Sequence, residues 1–326
     1  MANLPFVSAI IVTRNEESYI KEAMVSLIQQ SYPQDKYEIV IVDGMSTDKT
    51  RSIVLELQQE YQEKLPIRLL DNEKHILASG WNIGIKAASG EYVVRIDAHA
   101  KAAPDFIEKS VETMLSHDAV CVGGKLESAQ LSGGNELVAK VLSSPFGVGN
   151  SSFRVAEEGC YADTAVYGLY KKDVFNEMGF FDETMVRNQD IELHSRIRKA
   201  GYKFYFNPDI HCTYFTRNTV KKMLKQGYGN GKWNMVLLKR GTGALSLRHL
   251  IPFVFVLSVI GLGALGFVWS GFWWLLLAEI CLHLALGLFF ATKKTSKIGQ
   301  IVTKPFLFMA LHIAYGCGYF AGLFVK

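Results

Sequence analysis

Residues 92–99 read Tyr-Val-Val-Arg-Ile-Asp-Ala-His. Tyr92–Ile96 is a short β-branched run of the kind that forms a buried strand, and it ends on an acid and an imidazole two positions apart. Side chains at i and i+2 of a strand point to the same side, so Asp97 and His99 can share one cation at the strand's carboxyl end. A divalent ion held by one or two protein ligands keeps open positions for substrate phosphates. A solvated pair in a loop is the competing reading of these residues.

The pattern on either side of this strand repeats. Phe6–Val12 is another short β-branched run, followed by Ile20, Ala23, Met24, Leu27 and Ile28 at helical spacing and a stop at Tyr32-Pro33. Glu38–Val42 is a second strand, and Asp43-Gly-Met-Ser-Thr-Asp48 opens the next helix. Ile67–Leu70, a helix around 78–88, a helix from Pro104 to about Ser116, and Ala119–Val122 continue the alternation. Strands alternating with helices predict an α/β fold with a mostly parallel sheet and helices on both faces. Ligands of such sheets bind beyond the carboxyl ends of the strands. That rule selects Thr13–Glu17, Asp43–Asp48, Asp71–Asn72 and Asp97–His99.

Composition divides the chain differently. Of its 326 residues 49% are hydrophobic and 20% charged, and its mean hydropathy is slightly positive. There are 35 bases and 31 acids, but residues 249–326 hold one acid, Glu279, and five bases. Residues 1–248 therefore carry thirty of each, and the excess of +4 sits in an apolar tail. Nothing in the first 248 residues is basic enough for nucleic acid. The five cysteines are scattered without a C-x-x-C pair, which suits free thiols in a reducing compartment. The N-terminal apolar run is too short for a signal peptide.

Residues 251–270 and 272–292 are each long enough to span the ~30 Å hydrocarbon core, with Ser270-Gly271 dividing them, and a third span runs from about 305 to 325. Lys239, Arg240 and Arg248 precede the first span, and Lys293, Lys294, Lys297 and Lys304 lie between the second and third. The distribution of bases puts these segments in the cytoplasm, with the Ser270-Gly271 turn and Lys326 outside. Gly261, Gly263 and Gly266 match G-x-G-x-x-G, but inside an apolar helix with no strand before it, so a dinucleotide fingerprint is excluded. Gly318 and Gly322 have the spacing that lets two helix backbones approach. Glu279 and His283 lie one turn apart within the second span and require a neighbour or a cavity.

In order along the chain stand Val-Thr-Arg-Asn-Glu-Glu (12–17), Val-Asp-Gly-Met-Ser-Thr-Asp (42–48) and Trp-Asn-Ile-Gly-Ile-Lys-Ala-Ala-Ser-Gly-Glu-Tyr (81–92). Arg-Ile-Asp-Ala-His (95–99), Asn-Gln-Asp-Ile-Glu-Leu (188–193) and Arg-Lys-Ala-Gly-Tyr (198–202) follow. Together they resemble the family 2 glycosyltransferases of the GT-A fold. The Asp-Ala-His form and the apolar tail are most similar to the succinoglycan-type branch that builds exopolysaccharide. The resemblance implies a nucleotide-sugar donor, a UDP-sugar by family expectation, bound by Thr13, Arg14, Glu16, Asp43, Asn82 and Asp97. It implies a divalent cation, Mn²⁺ or Mg²⁺, on Asp97 and His99, with His211 a further candidate against a packing or surface role. Asp190 takes the place of the catalytic base, and the competing reading is a helix N-cap. Gln189 stands where the family has Glu, and His99 where it has a second Asp.

On this reading residues 1–218 form a cytoplasmic GT-A domain, 219–248 a basic aromatic linker and 249–326 a transmembrane domain. Lys221, Lys222, Lys225, Lys232, Lys239 and Arg240 alternate with Met223, Leu224, Tyr228 and Trp233, which fits an interfacial helix at anionic lipid. Residues 128–162 are expected to form a mobile acceptor-side loop. The expected activity is inverting transfer to a polyprenyl-diphosphate-linked saccharide at the inner membrane, by a multi-pass protein. A polyprenyl-phosphate glycosyl synthase, a nucleotidyltransferase and a non-catalytic membrane-tethered nucleotide-sugar binder are the rivals.

Overall fold

The computed structural model describes residues 4–129, 135–149, 156–215, 219–293 and 297–325. In chain order the first elements are β1 (Val7–Thr13), α1 (Ile20–Ile28), β2 (Tyr37–Asp43), α2 (Thr50–Tyr61), β3 (Ile67–Asp71), α3 (Leu77–Ala87) and β4 (Tyr92–Asp97). Then come β5 (Ala100–Ala102), α4 (Phe106–Ser116), β6 (Cys121–Ala129), α5 (Glu136–Leu142), α6 (Pro145–Val148), β7 (Cys160–Ala162) and β8 (Leu169–Lys171). The remainder are α7 (Asp173–Met178), α8 (Gln189–Lys199), β9 (Phe204–Phe215), α9 (Val220–Lys239), α10 (Leu247–Gly266), α11 (Gly271–Thr292) and α12 (Ile298–Leu323).

The chain forms two compact units, residues 1–129 with 151–215, and residues 130–150 with 216–326. The sequence reading keeps 1–218 together; in the structure the chain leaves the first unit at 130, contributes α5 and α6 to the second, and returns at 151. The first unit is a single sheet in the order β3-β2-β1-β4-β8-β6-β9-β5, with β7 on β9. Its left half, β3-β2-β1-β4, is parallel throughout, and the right half is mixed, because β8 runs antiparallel to both β4 and β6. Both central strands are buried along their whole length, as expected of strands covered on two faces. Val7, Ala9 and Ile11 face α1, α2 and α4, whereas Ile10 and Val12 face α3, α7 and α8. A Cβ on Gly84 would lie 2.5 Å from Ile10 Cγ2, so the glycine lets α3 settle directly on β1.

In the second unit α10, α11 and α12 are each long and apolar enough to cross a membrane. Glu279 accepts a short hydrogen bond from Ser258, and His283 Nε2 lies 2.9 Å from His312 Nδ1, so both polar residues of α11 find neighbours. His312 Nε2 in turn donates to the Phe146 carbonyl at 2.8 Å. Residues 135–148, expected as loop, form α5 and α6 instead. Val138 and Val141 pack with Met223, Phe308 and Leu311, and Glu136 pairs with Lys140 (2.7 Å) and Lys297 (3.2 Å). Lys326 and parts of 128–162 fall outside the described residues.

Candidate active site

The parallel half of the sheet sets out its carboxyl ends in a row. Thr13 pairs with Asp43 in the β1–β2 ladder, Val12 with Asp97 in β1–β4, and Asp43 with Asp71 in β2–β3. The loops leaving β1 and β2 are bonded to one another. Asn15 N–H donates to Ser46 Oγ (2.9 Å), Thr47 N–H to Asn15 Oδ1 (2.8 Å), Glu16 N–H to Thr50 Oγ1 (2.8 Å) and Lys49 N–H to Glu17 Oε2 (3.0 Å). Asn15, Met45, His75, Tyr167 and Asn188 all have φ between 47° and 61°. Left-handed backbone at non-glycine residues is strained and collects at functional sites.

A pocket of about 230 Å³ opens over these loops, lined by Thr13, Arg14, Glu16, Gly44, His75, Asp97 and His99 among others. Five of the residues picked from sequence therefore converge. His99 lies edge-on to Tyr214, with ring centroids 5.0 Å apart, and its Nδ1 is 3.5 Å from Glu16 Oε1, beyond good hydrogen-bond range. His99 Nδ1 and Thr13 Oγ1 are buried with no hydrogen-bond partner. Buried polar atoms of a native fold are normally satisfied, so two orphans in one pocket mark places for a ligand. Asp97 Oδ2 accepts from Tyr167 OH at 3.1 Å. Burial, and then Asp97 itself, push the Tyr167 phenol well above its ordinary value, so it stays a donor.

The other residues are placed differently. Asp43 is fully buried, and its carboxylate organises its own loop: it accepts from Ser46 N–H (3.1 Å) and Ser46 Oγ (2.5 Å) and lies 3.4 Å from Arg51 Nη1. Asn82 spends its amide on the 179–184 turn, with Nδ2 donating to Phe181 O and Glu183 Oε1 and Oδ1 accepting from Phe181 N–H, each at 2.9 Å. It acts as a bracket between α3 and that turn. His211, the further metal-ligand candidate, stands apart from His99 in the backbone register. Phe215 N–H donates to the His99 carbonyl, whereas His211 stands opposite Ala103, four residues back along β9 and thus about 13 Å away along the strand. Its half-exposed ring is near Glu127 Oε1, at 3.8 Å. Among the described residues no three His, Cys, Asp or Glu side chains form a cation site.

Asp190 lies in the first turn of α8, two residues after the N-cap position, Asn188. Its Oδ1 accepts from the Ile191 N–H at 2.9 Å. Two guanidinium groups face it. Arg187 is held below its ordinary value by burial, against Tyr214 and Asp190. Arg95 is stacked on Trp81 and Phe181, its charged carbon 4.7 and 4.9 Å from the ring centroids. Burial disfavours the Arg95 charge, but Tyr170, Asp190 and Asp97 outweigh it and raise the group. Sequence reasoning missed Arg95, although a base inside a β-branched run, two residues before Asp97, marks a charge on the same face.

Comparison with known proteins adds what geometry cannot. The model of Glycosyl transferase family 2 matches residues 8–179. The chain belongs to glycosyl transferase family 2. The match ends before Asp190. A dolichyl N-acetyl-α-D-glucosaminyl phosphate 3-β-D-2,3-diacetamido-2,3-dideoxy-β-D-glucuronosyltransferase of Methanococcus voltae is 32% identical over 98% of this chain and 97% of its own. Succinoglycan biosynthesis protein ExoA of Rhizobium meliloti is 29% identical over 96% and 94%. Among solved structures, a mannosyltransferase from Pyrobaculum calidifontis in complex with GDP-Man and Mn²⁺ superposes with TM-score 0.65 at 20% identity, covering 96% of this chain and 88% of that one. The glycosyltransferase thus shares a GT-A-like fold with it, and its relatives extend through the apolar tail.

Proposed function

We propose that this glycosyltransferase inverts the anomeric centre of a nucleotide-sugar, a UDP-sugar, while moving the sugar to a polyprenyl-linked saccharide in cell-surface glycan synthesis. One observation carries the proposal: Asp97 and His99 line one strand-end pocket, with Thr13 Oγ1 and His99 Nδ1 buried and without a hydrogen-bond partner. The Methanococcus voltae relative is named for an acceptor that is already a lipid-linked sugar phosphate, which supports a saccharide acceptor over bare polyprenyl phosphate. Three apolar helices support a membrane location, with the catalytic unit in the cytoplasm.

In that reaction Thr13 and Arg14 bind the donor, and the ordered 43–51 loop, held by Asp43, shapes the wall beside the nucleoside. The donor set fits a divalent cation: one carboxylate and one imidazole with an orphaned nitrogen, leaving positions for diphosphate oxygens. Such an ion supplies neutralisation of the leaving diphosphate. Asp190 accepts the acceptor hydroxyl proton as that oxygen attacks. Tyr167 fixes the Asp97 carboxylate, and Arg95 balances the charge of Asp97 and Asp190 from behind.

The test is nucleotide-diphosphate release by the detergent-purified chain, with a panel of nucleotide-sugars, Mn²⁺ and a polyprenyl-linked saccharide extract. Release should require both metal and acceptor. Asp190→Asn should lower kcat by ~10²–10⁴-fold with donor binding retained. Equal turnover by the two proteins would remove Asp190 from the reaction.

A further inference from the structure

Length and hydropathy allow α12 to cross a membrane, but its contacts within the second unit give it another direction. The α10–α11 hairpin is antiparallel. Gly266 meets Trp273 at its closed end, Ser258 meets Glu279 midway, and Phe255 stacks on His283 towards its open end. The open end is therefore the start of α10 and the end of α11, and α12 touches both. Lys304 donates to the Ala291 carbonyl at 3.0 Å, and Gly287 faces Pro305, all in the last turns of α11. About fifteen residues further along α12, Tyr319 donates to the His249 carbonyl at 2.8 Å and stacks on Phe253, in the first turns of α10.

Lys304 and Tyr319 are ~22 Å apart along a helix. In a helix crossing beside the hairpin that distance would separate them by most of the ~30 Å hydrocarbon core. Both instead reach the same end of the hairpin. Between them His312 and Gly316 touch His283, Pro252 and Val256, still in the open half. So α12 lies across the mouth of the hairpin.

Helix α9 follows α12. A Cβ on Gly231 would meet the Tyr315 carbonyl, and one on Gly318 the Tyr228 carbonyl; Gly322 faces Lys232, and Lys239 Nζ donates to the Leu323 carbonyl at 2.9 Å. The two run parallel, backbone against backbone. A helix exposing Lys221, Lys222, Lys225 and Lys239 is costly to carry through hydrocarbon, so its partner stays at the surface with it. The exposed side of α12 offers Val302, Phe306, Ile313 and Phe324 to acyl chains.

We propose that α10 and α11 alone cross the bilayer, and that α12 and α9 form a layer in the plane of the membrane at the hairpin's open end, the α9 lysines on anionic headgroups. The end of α12 is then on the side from which α10 enters. The test uses full-length Ser270→Cys and Lys326→Cys in intact cells with a membrane-impermeant maleimide, the unsubstituted chain giving the background. Ser270→Cys should label from outside, and Lys326→Cys only after permeabilisation. Outside labelling of Lys326→Cys, or none of Ser270→Cys, would overturn the arrangement. Independently of any substitution, a fluorescent protein fused after Lys326 should fold and glow, and an alkaline phosphatase there should be inactive; the reverse pair sinks the proposal.

Discussion

His194 shows what a single buried residue does to this fold. It is fully buried one turn after Asp190, and its ring nitrogens lie 2.7 Å from Thr164 Oγ1 and 2.7 Å from Tyr170 OH. Burial pushes its pKa down to about 3, with Asp190 opposing the shift and Arg95 and Arg198 reinforcing it. An unfolded histidine takes its proton near pH 6.5, so between there and pH 3 the unfolded chain binds a proton that the folded one refuses. Stability from this group is therefore complete above pH 6.5 and falls as the pH is lowered, by about 2 kcal/mol at pH 5. Thermal unfolding of wild type and His194→Gln from pH 8 to pH 5 should give converging Tm values at the acid end. Parallel curves would show that His194 is not the group responsible.

Asn82 gives a second prediction at this scale. Its three hydrogen bonds to Phe181 and Glu183 hold the turn before α8. Asn82→Ala should cost about 1–3 kcal/mol of stability, read as a lower Tm, while the donor KM moves little. A raised donor KM at unchanged Tm would return Asn82 to the donor site. That Thr13, Arg14, Glu16, Asp97 and His99 line one pocket was legible because strand ends are readable from apolar runs, and the strand-end rule then locates the pocket. The roles of Asn82 and Asp43 were not legible, because their hydrogen-bond partners are set by turns and loops that only the folded chain brings near. The separation of His211 from His99 was unreadable for a related reason: it depends on the register of β9 against β5.

Among elements, the legible ones are those with continuous apolar runs. β1, β2 and β4 announce themselves as buried parallel strands, but β5, β7 and β8 have three residues each and carry no period to read. Those short strands turn the right half of the sheet into a mixed one. In the second unit the Gly318–Gly322 spacing foretold a close helix pair, but its partner was hidden, because α9 reads as a basic surface helix. Gly227 and Gly231 supply the matching groove. Gly231→Leu would drive a side chain into the Tyr315 backbone, where no rotamer can yield. Overpacking of that kind costs about 1–3 kcal/mol, and a lower Tm in detergent with unchanged Asp190-dependent turnover per folded molecule is expected. An unaltered Tm would mean that α9 does not press on α12.

For the whole molecule, the decisive fact is that the catalytic unit is interrupted. Residues 130–150 leave it and join the helices that follow residue 216. Val138, Val141 and Phe146 in this excursion are covered by Met223, Phe308 and Leu311, and the Phe146 carbonyl receives the His312 hydrogen bond. A cut after residue 218, where sequence composition places the domain boundary, would strip those partners away. Apolar groups left in water without their cover promote association. Residues 1–218 expressed alone should therefore elute as aggregate on size exclusion. The same fragment with 130–150 replaced by a short Gly-Ser linker should elute as a monomer and still bind a nucleoside diphosphate, because among the described residues none of the excursion lines the pocket over β1, β2 and β4. If both fragments behave alike, the excursion is not what ties the catalytic unit's solubility to the apolar helices.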